Sequence, residues 1–198
     1  MKIVHINKTD AGGGAAVAAM RIHRSLMRAG VDSHILVQEQ KRNEPNEHCA
    51  GNGFIYKINN FSRFVHERLT ILPYEKDRHM RYNFSIANTG QSLINNPILL
   101  DADIIHLHWI NQGFLSLNNI KEILDLGKPV VWTLHDMWPF TGGCHYSGIC
   151  FEFNEHCGYC PFIKKPQKND ISYNNFIQKR NIYSGKNLTI VTCSKWLG

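Results

Sequence analysis

The sequence predicts an α/β fold, with a doubly wound, mainly parallel sheet and helices on both faces of it. Short runs of consecutive apolar residues, as expected of strands buried on both faces, alternate with segments whose apolar residues recur at helical spacing. A glycine-rich turn joins the first such run to the first helical segment, as in the opening unit of this type of sheet. The chain has 198 residues, of which 43% are hydrophobic, and this length suits one domain with a substantial core.

The first third of the chain contains two strands and two helices. The first strand covers residues 2–6, and the first helix covers 15–29, where Gly30 closes it as a left-handed cap residue would. The second strand covers 31–38, and a polar loop follows over 39–53. A second helix is expected over 54–72, where apolar residues recur at helical spacing, and Pro73 marks its end.

The alternation resumes after a stretch up to residue 101 that we predict to be mostly loop with short elements. Further strands are expected over 103–108, 129–134 and 188–193, and further helices over 115–126 and 171–184. Residues 140–168 form a Cys-rich insertion. The last five residues, 194–198, resemble the capped beginning of another helix, so we expect the chain, residues 1–198, to be one domain of a longer protein.

Composition and charge narrow the class of protein. No apolar run is long enough to span a bilayer, and the N-terminus lacks the apolar region of a signal peptide, so we expect a cytoplasmic location. The net charge of +6 is concentrated in two basic stretches, residues 57–81 and 164–186. A basic surface suits a nucleotide diphosphate or an anionic membrane as a partner, and a solvated helix face is the favoured alternative for either stretch alone. Nucleic acid is not expected, because no zinc-finger helix, aromatic RNA-binding signature or Arg-rich arm accompanies these stretches.

Gly12, Gly13 and Gly14 follow the first strand. Glycine has no Cβ atom, so backbone N–H groups can approach a phosphate or a sugar here, and the N-terminus of the next helix favours anions. The segment matches neither G-x-G-x-x-G nor G-x-x-x-x-G-K-[ST], which excludes the common dinucleotide and P-loop motifs. A turn that requires positive φ angles accounts for the glycines equally well.

His135 and Asp136 follow a buried strand, at the sheet edge where parallel α/β sheets bind ligands. A histidine there can bond a substrate hydroxyl or transfer a proton, and a structural histidine held by Asp136 is the alternative. His106 and His108 share one face of another strand, but a third ligand is not evident, which argues against a metal. Further candidates for substrate binding at the same edge are His108, Trp109 and Asn111.

Four of the six cysteines lie within one loop: Cys144, Cys150, Cys157 and Cys160. The spacing Cys157-x-x-Cys160 is that of a zinc knuckle, and the other two thiols could complete a tetrahedral site, with His145 and His156 as spare ligands. Paired disulfides, which a reducing cytosol disfavours, and free thiols are the alternatives. We favour a structural zinc, which would not be catalytic because four thiolates leave no open position.

Taken together, four segments resemble the family-4 (group 1) glycosyltransferases, particularly the bacterial enzymes of exopolysaccharide, O-antigen and capsule assembly. The segments are MKIVHINKTDAGGGAAVAAMRIHRSLMRAGVDSHILV, DIIHLHWINQGFLS, GKPVVWTLHDMWPFTGGCHYSGIC and NLTIVTCSKWL. They are spread over most of the chain and leave out roughly residues 39–101, where such enzymes vary.

This resemblance implies a GT-B architecture, in which two Rossmann-like domains face each other across a cleft. The chain would be the N-terminal, acceptor-side domain, inactive alone, and the C-terminal domain that binds the nucleotide-sugar, with its E-x7-E motif, would be absent from it. The resemblance further implies retaining transfer from a nucleotide-sugar donor to a glycan or lipid-linked acceptor, with no catalytic metal or other cofactor. By the same resemblance, Gly12, Gly13 and Gly14 border the donor, and His135 contacts the transferred sugar.

Other functions remain open at this point. The chain could be a non-catalytic sugar- or nucleotide-binding module, a flavodoxin-like domain, or a metal-dependent hydrolase that uses the histidines near the sheet edge together with Asp136.

The helix over 54–72 raises the question of a membrane contact. It carries Lys57 and two arginines beside its apolar residues, and we expect it to contact anionic lipid at the inner face of the membrane. The alternative is that Phe61, Val65 and Leu69 pack on the sheet.

Overall fold

The computed structural model describes residues 1–78 and 80–198, and it confirms the predicted α/β fold. Six parallel strands form one sheet in the order β3-β2-β1-β4-β5-β6, so that β1 lies near the centre. The strands are β1 (Lys2–Thr9), β2 (Asp32–Glu39), β3 (Glu47–Cys49), β4 (Ile104–Leu107), β5 (Val130–Leu134) and β6 (Leu188–Thr192). The helices are α1 (Gly13–Arg28), α2 (Gly53–Ile71), α3 (Met80–Asn83), α4 (Pro97–Leu100), α5 (Leu117–Asp125) and α6 (Ile171–Tyr183).

Helices cover both faces of the sheet, as the sequence predicts. On one face, apolar side chains of β1, β4 and β5 form the main core with helix α5 and part of α6, and Trp132 is among its largest buried members. On the other face, Ala19 and Met20 of α1 pack against Ile35 and Val37 of β2. Small residues on α1 let this helix approach the sheet closely, next to the glycine-rich turn.

Two regions differ from the sequence-based expectation, at strand β3 and at the last residues. The predicted loop over 39–53 contains strand β3, which pairs with β2 but has only three residues, too few to show a strand periodicity. The stretch before residue 101 is mostly loop with short elements, as the sequence predicts: it contains two single-turn helices, and the second is capped by the Asn96 side chain, which accepts hydrogen bonds from Ile98 and Leu99. The last residues form a turn stabilised by a bond from Leu197 N to Ser194 Oγ (3.3 Å), where we expected a helix to begin.

Helix α2 is attached to the domain through few side chains. It buries only Glu67 and Ile71, and the Glu67 carboxylate accepts hydrogen bonds from the Ser85 hydroxyl and from Ala87 N (3.2 Å). Its apolar residues instead face solvent: Phe54 is 77% exposed, Phe61 69% and Leu69 60%. None of the helices in the described residues is long and apolar enough to span a membrane.

Candidate active site

The candidate residues gather at the carboxyl edge of the sheet. Strand β1 runs into the glycine-rich turn, β4 into His108 and Trp109, and β5 into His135 and Asp136. Because β4 lies between β1 and β5, the turn and His135 are separated by two strand spacings, roughly 10 Å. A small ligand at this edge can therefore contact both.

The three glycines of the turn differ in what their conformation requires. Gly12 and Gly13 have φ angles of +85° and +77°, a region that other residues rarely adopt. Gly14 has no such angle, and a Cβ atom there would meet nothing within 4 Å. Helix α1 starts without a side-chain cap or an acidic residue in its first turn, so its N-terminal N–H groups remain available to an anion.

A chain of hydrogen-bonded imidazoles leads from the interior to His135. His135 Nε2 lies 3.1 Å from His108 Nδ1, and His108 Nε2 lies 3.1 Å from His5 Nδ1. His5 is fully buried and His108 is 2% exposed. Burial lowers the pKa of all three imidazoles, with a strong effect on His5 and His108, so the chain is neutral near pH 7.

His106 stacks on this chain, so that ring nitrogens of three histidines, His5, His106 and His108, lie close together. Its ring centroid lies 4.3 Å from that of His108, and its Nε2 lies 2.7 Å from Thr133 Oγ1. His5, His106 and His108 are the one group of potential metal ligands within 4.8 Å of one another in the described part of the chain. Hydrogen bonds already use Nδ1 of His5 and both nitrogens of His108, so we interpret the group as a stacked and hydrogen-bonded cluster.

Asp136 connects three elements of the site. Its Oδ2 accepts hydrogen bonds from Trp109 Nε1 (2.9 Å) and His145 Nδ1 (2.7 Å), and its Oδ1 accepts one from Trp138 N (2.9 Å). Burial raises the pKa of this carboxyl, but the hydrogen bonds, with that from His145 the strongest, outweigh burial and hold the pKa below its usual value. The structure therefore brings Trp109 and Asp136 together, and it adds His145, which the sequence offered only as a spare metal ligand.

Asn111 and His108 are less accessible than a substrate-binding role suggests. Asn111 is 2% exposed, and its Nδ2 has no hydrogen-bond partner among the described residues. His108 uses both ring nitrogens within the imidazole chain.

A cleft of about 920 Å³ lies between α2 and the carboxyl ends of β1 and β2, and neither the three glycines nor His135 is among the residues that line it. Lys8, Lys41 and Lys57 line the cleft together with Glu39, which forms an ion pair with Lys8 (3.6 Å), and Trp109 forms part of the wall nearest Asp136. The aromatic side chains of the α2 wall are Tyr56, Phe61 and Phe64. The cleft thus joins positive charge to an apolar aromatic surface.

Sequence reasoning missed the residues that shape this cleft. Lys8 Nζ donates to Gln38 Oε1 and to the carbonyl of Gln112, both at 2.9 Å. The buried Asp10 carboxylate accepts from the backbone N–H groups of Lys41 and residue 42, which holds Lys41 beside the glycine turn. The available signal was the polar segment directly after β1, which lies at the ligand-binding edge.

The four cysteines of the insertion line one small cavity of about 10 Å³. All four are free thiols, and Cys144, Cys157 and Cys160 are buried. Gly142 N donates to Cys157 Sγ (3.1 Å), and burial raises the pKa of Cys157 and Cys160 to about 12. As free thiols they are therefore neutral.

The insertion is anchored next to the candidate site by a buried lysine. Lys179 Nζ donates to the carbonyls of Trp138 (2.5 Å) and Thr141 (3.1 Å) and lies 3.5 Å from the centroid of the Trp138 ring. No carboxylate in the described residues forms an ion pair with it, and burial lowers its pKa to about 7. Cys144 precedes His145, so the position of the thiol loop is coupled to the Asp136 contact.

Comparison with known proteins identifies the family of the chain and agrees with its fold. Residues 12–191 match the family model Glycosyltransferase Family 4. The chain is 26% identical over 188 residues to WcaC of Escherichia coli (strain K12), named as a colanic acid biosynthesis glycosyl transferase. The match covers 92% of this chain but 45% of that protein, so the chain spans about half the length of its relative. No solved structure matches significantly. From the family match over most of its length, the chain belongs to glycosyltransferase family 4.

Proposed function

We propose that this chain is the acceptor-side domain of a retaining hexosyltransferase in bacterial surface polysaccharide synthesis. The whole protein would transfer a sugar from a nucleotide-sugar donor, bound mainly by a second domain, to a glycan or lipid-linked acceptor. Family membership supports the transferase class over the hydrolase and flavodoxin-like alternatives. The name of the Escherichia coli relative supports the link to polysaccharide synthesis.

The glycine turn would face the donor. Gly14 lies in open space where neither its φ angle nor a neighbour requires glycine, which supports the close approach of a ligand to the backbone. The uncapped N-terminus of α1 would stabilise the negative charge that develops on the leaving diphosphate.

His135 would contact the transferred sugar. Its imidazole is neutral and its Nε2 is bonded to His108, which leaves Nδ1 for a sugar hydroxyl. A bond that is stronger in the transition state than in the ground state would raise kcat more than it improves ground-state binding.

The acceptor would occupy the cleft beside α2. The lysines of the cleft suit a phosphate or another anionic group, and the aromatic wall suits an apolar chain. This combination favours a lipid-linked acceptor over a soluble glycan.

The observation that carries the proposal is the placement of the glycine turn and His135 at one edge of the sheet, with the lysine-lined cleft near the turn at Lys41. The test is to incubate the whole protein with a panel of labelled nucleotide-sugars and a bacterial lipid extract. Transfer of label into the lipid or polysaccharide fraction is expected. Binding of a nucleotide-sugar without transfer, under conditions where a known family member is active, would favour the non-catalytic module.

We propose two further properties of the domain. The exposed apolar face of α2, with Lys57 and Arg63 beside it, would contact anionic lipid at the inner face of the membrane. The cysteine loop would hold a structural zinc, with the four thiols drawn onto one ion. The negative charge of a four-thiolate centre would compensate the buried Lys179 ammonium, which has no carboxylate partner in the described residues.

A further inference from the structure

The hydrogen bonds of the imidazole chain all run in one direction, from His5 toward His135, because the ring nitrogen at the inner end of the chain is buried without a hydrogen-bond partner. His5 Nε2 is inaccessible to solvent and has no hydrogen-bond partner among the described residues. A neutral imidazole carries one proton, on either Nδ1 or Nε2. A buried N–H group without an acceptor is rarer in proteins than a buried acceptor without a donor, which favours an unprotonated Nε2.

That choice determines the protonation of the whole chain. If His5 carries its proton on Nδ1, it donates to His108 Nε2 across 3.1 Å. His108 then carries its own proton on Nδ1 and donates to His135 Nε2, again across 3.1 Å. His135 in turn must carry its proton on Nδ1, the nitrogen that is left for a ligand.

We propose that His5 and His108 are positioning residues that hold His135 in the Nδ1–H form, so that it meets the substrate as a hydrogen-bond donor. The proposal rests on the proposed function only for the identity of that substrate. Neighbouring contacts limit the movement of the rings: His106 stacks on His108 (4.3 Å between centroids), and His23 packs edge-on against His5 (5.8 Å). His23 bonds Ser33 Oγ (2.9 Å) and stands outside the chain.

The register of the sheet explains why these residues meet. His5 pairs with His106 across β1 and β4, and His108 lies two residues further along the same face. His135 follows the end of β5, the next strand. A neutral histidine that donates its Nδ1–H to an oxygen on which negative charge develops, such as the glycosidic oxygen of the donor, needs no change of protonation state, unlike an imidazolium in a buried site.

The test is nuclear magnetic resonance of the ¹⁵N-histidine-labelled chain, in which long-range couplings within each ring distinguish Nδ1–H from Nε2–H. Near pH 7 we expect the Nδ1–H form for His5, His108 and His135. A dominant Nε2–H form at His135 in the unaltered chain would overturn the proposal, whether or not the whole protein is a transferase.

Two variants of His108 sharpen the result. His108→Phe keeps a ring in the stack but removes both hydrogen bonds, and should leave His135 as a mixture of the two neutral forms. His108→Asn places an amide N–H near the position of Nδ1 and should restore the Nδ1–H form. His48→Gln, a control in a separate histidine pair with His34, should leave His135 unchanged. An unaltered His135 spectrum in His108→Phe would contradict the proposal.

Activity of the whole protein gives an independent readout. His108→Phe should lower kcat on the order of tenfold or more with little change in KM, and His108→Asn should recover part of the loss. If His135→Ala proves fully active while the Nδ1–H form is observed, the proposed role of His135 fails and the imidazole chain stands.

Discussion

Two residues of the glycine turn are glycine for different reasons: Gly13 because of its backbone conformation and Gly14, as we propose, because a ligand approaches it. Gly13 has a φ angle of +77°, whereas Gly14 already has a helical conformation and open space around it. Gly14→Ala should therefore stabilise the fold by about 0.4–1 kcal/mol, because alanine loses less backbone entropy on folding than glycine. It should still lower activity of the whole protein, because the added methyl group occupies the space that we assign to the donor.

Gly13→Ala serves as the matched control for this change. It should destabilise the fold, because alanine is strained at that φ angle. Urea denaturation measures both effects. Unimpaired transfer by Gly14→Ala would show that the donor does not approach this part of the backbone.

At the scale of elements, helix α2 has an apolar face that the domain leaves uncovered. The double variant Phe61→Ser/Leu69→Ser should weaken binding to vesicles that contain phosphatidylglycerol, because both side chains are more than half exposed beside basic residues. Binding of the unaltered chain should fall with added salt and with replacement of the anionic lipid by phosphatidylcholine.

The control for the vesicle experiment is Ile149→Ser. Ile149 is 95% exposed but lies in the cysteine loop, away from α2. If this control loses as much binding as the α2 variant, the binding is non-specific hydrophobic adsorption and does not depend on α2. If the unaltered chain does not bind the vesicles, the membrane proposal is contradicted, and a protein partner would be expected to cover the apolar face of α2 instead.

The cysteine loop is the second element with a testable ligand. We expect metal analysis of the purified chain to find about one zinc per molecule, bound by four thiolates. Cys157→Ser should remove the metal and lower the free energy of unfolding by about 1–3 kcal/mol without abolishing the fold, since the sheet core lies elsewhere. Cys193→Ser, at an exposed cysteine outside the loop, should change neither.

Two disulfides without metal, or four free thiols after refolding with zinc, would contradict the zinc proposal. Iron with sulfide would also contradict it. Thiol counting and mass spectrometry distinguish these three outcomes.

The elements that sequence reasoning placed correctly are those with a long periodic pattern, such as β1, α1, β5 and α6. Strand β3 was missed, and the short elements expected before residue 101 could not be placed, because three or four residues carry no periodicity. Likewise, the sequence placed His135 and Asp136 at the sheet edge, because a strand visibly ends there. It could not place His145 on Asp136 or His5 on His108, because those contacts join residues far apart in the chain.

At the scale of the whole molecule, buried histidines make stability depend on pH. Burial lowers the pKa of His23 and His106 to about 4, and it also holds the pKa values of His5 and His108 well below the usual value. Below about pH 6.5 these histidines bind protons in the unfolded chain, whereas in the folded chain they stay neutral until the pH is much lower. The contribution of these histidines to the free energy of unfolding should therefore be constant above about pH 6.5 and fall as the pH drops toward 4.

The slope of this loss approaches about 1.4 kcal/mol per pH unit for each histidine held neutral. His106→Gln should reduce the slope by up to the contribution of one histidine. His66→Gln, at an exposed position on α2, should leave the slope unchanged. Urea denaturation at pH 7.5, 6 and 5 gives the slope. Equal stability at these three values would show that the imidazoles are not held neutral by the fold.

The central claim is that this domain supplies His135 to the transferred sugar in the active site of a glycosyltransferase. The most direct test is the steady-state kinetics of the whole protein with His135→Ala, with His66→Ala as the control. The account predicts a fall in kcat on the order of 10² or more, little change in KM, and an unaltered fold by circular dichroism. Near-normal turnover by His135→Ala would contradict the claim.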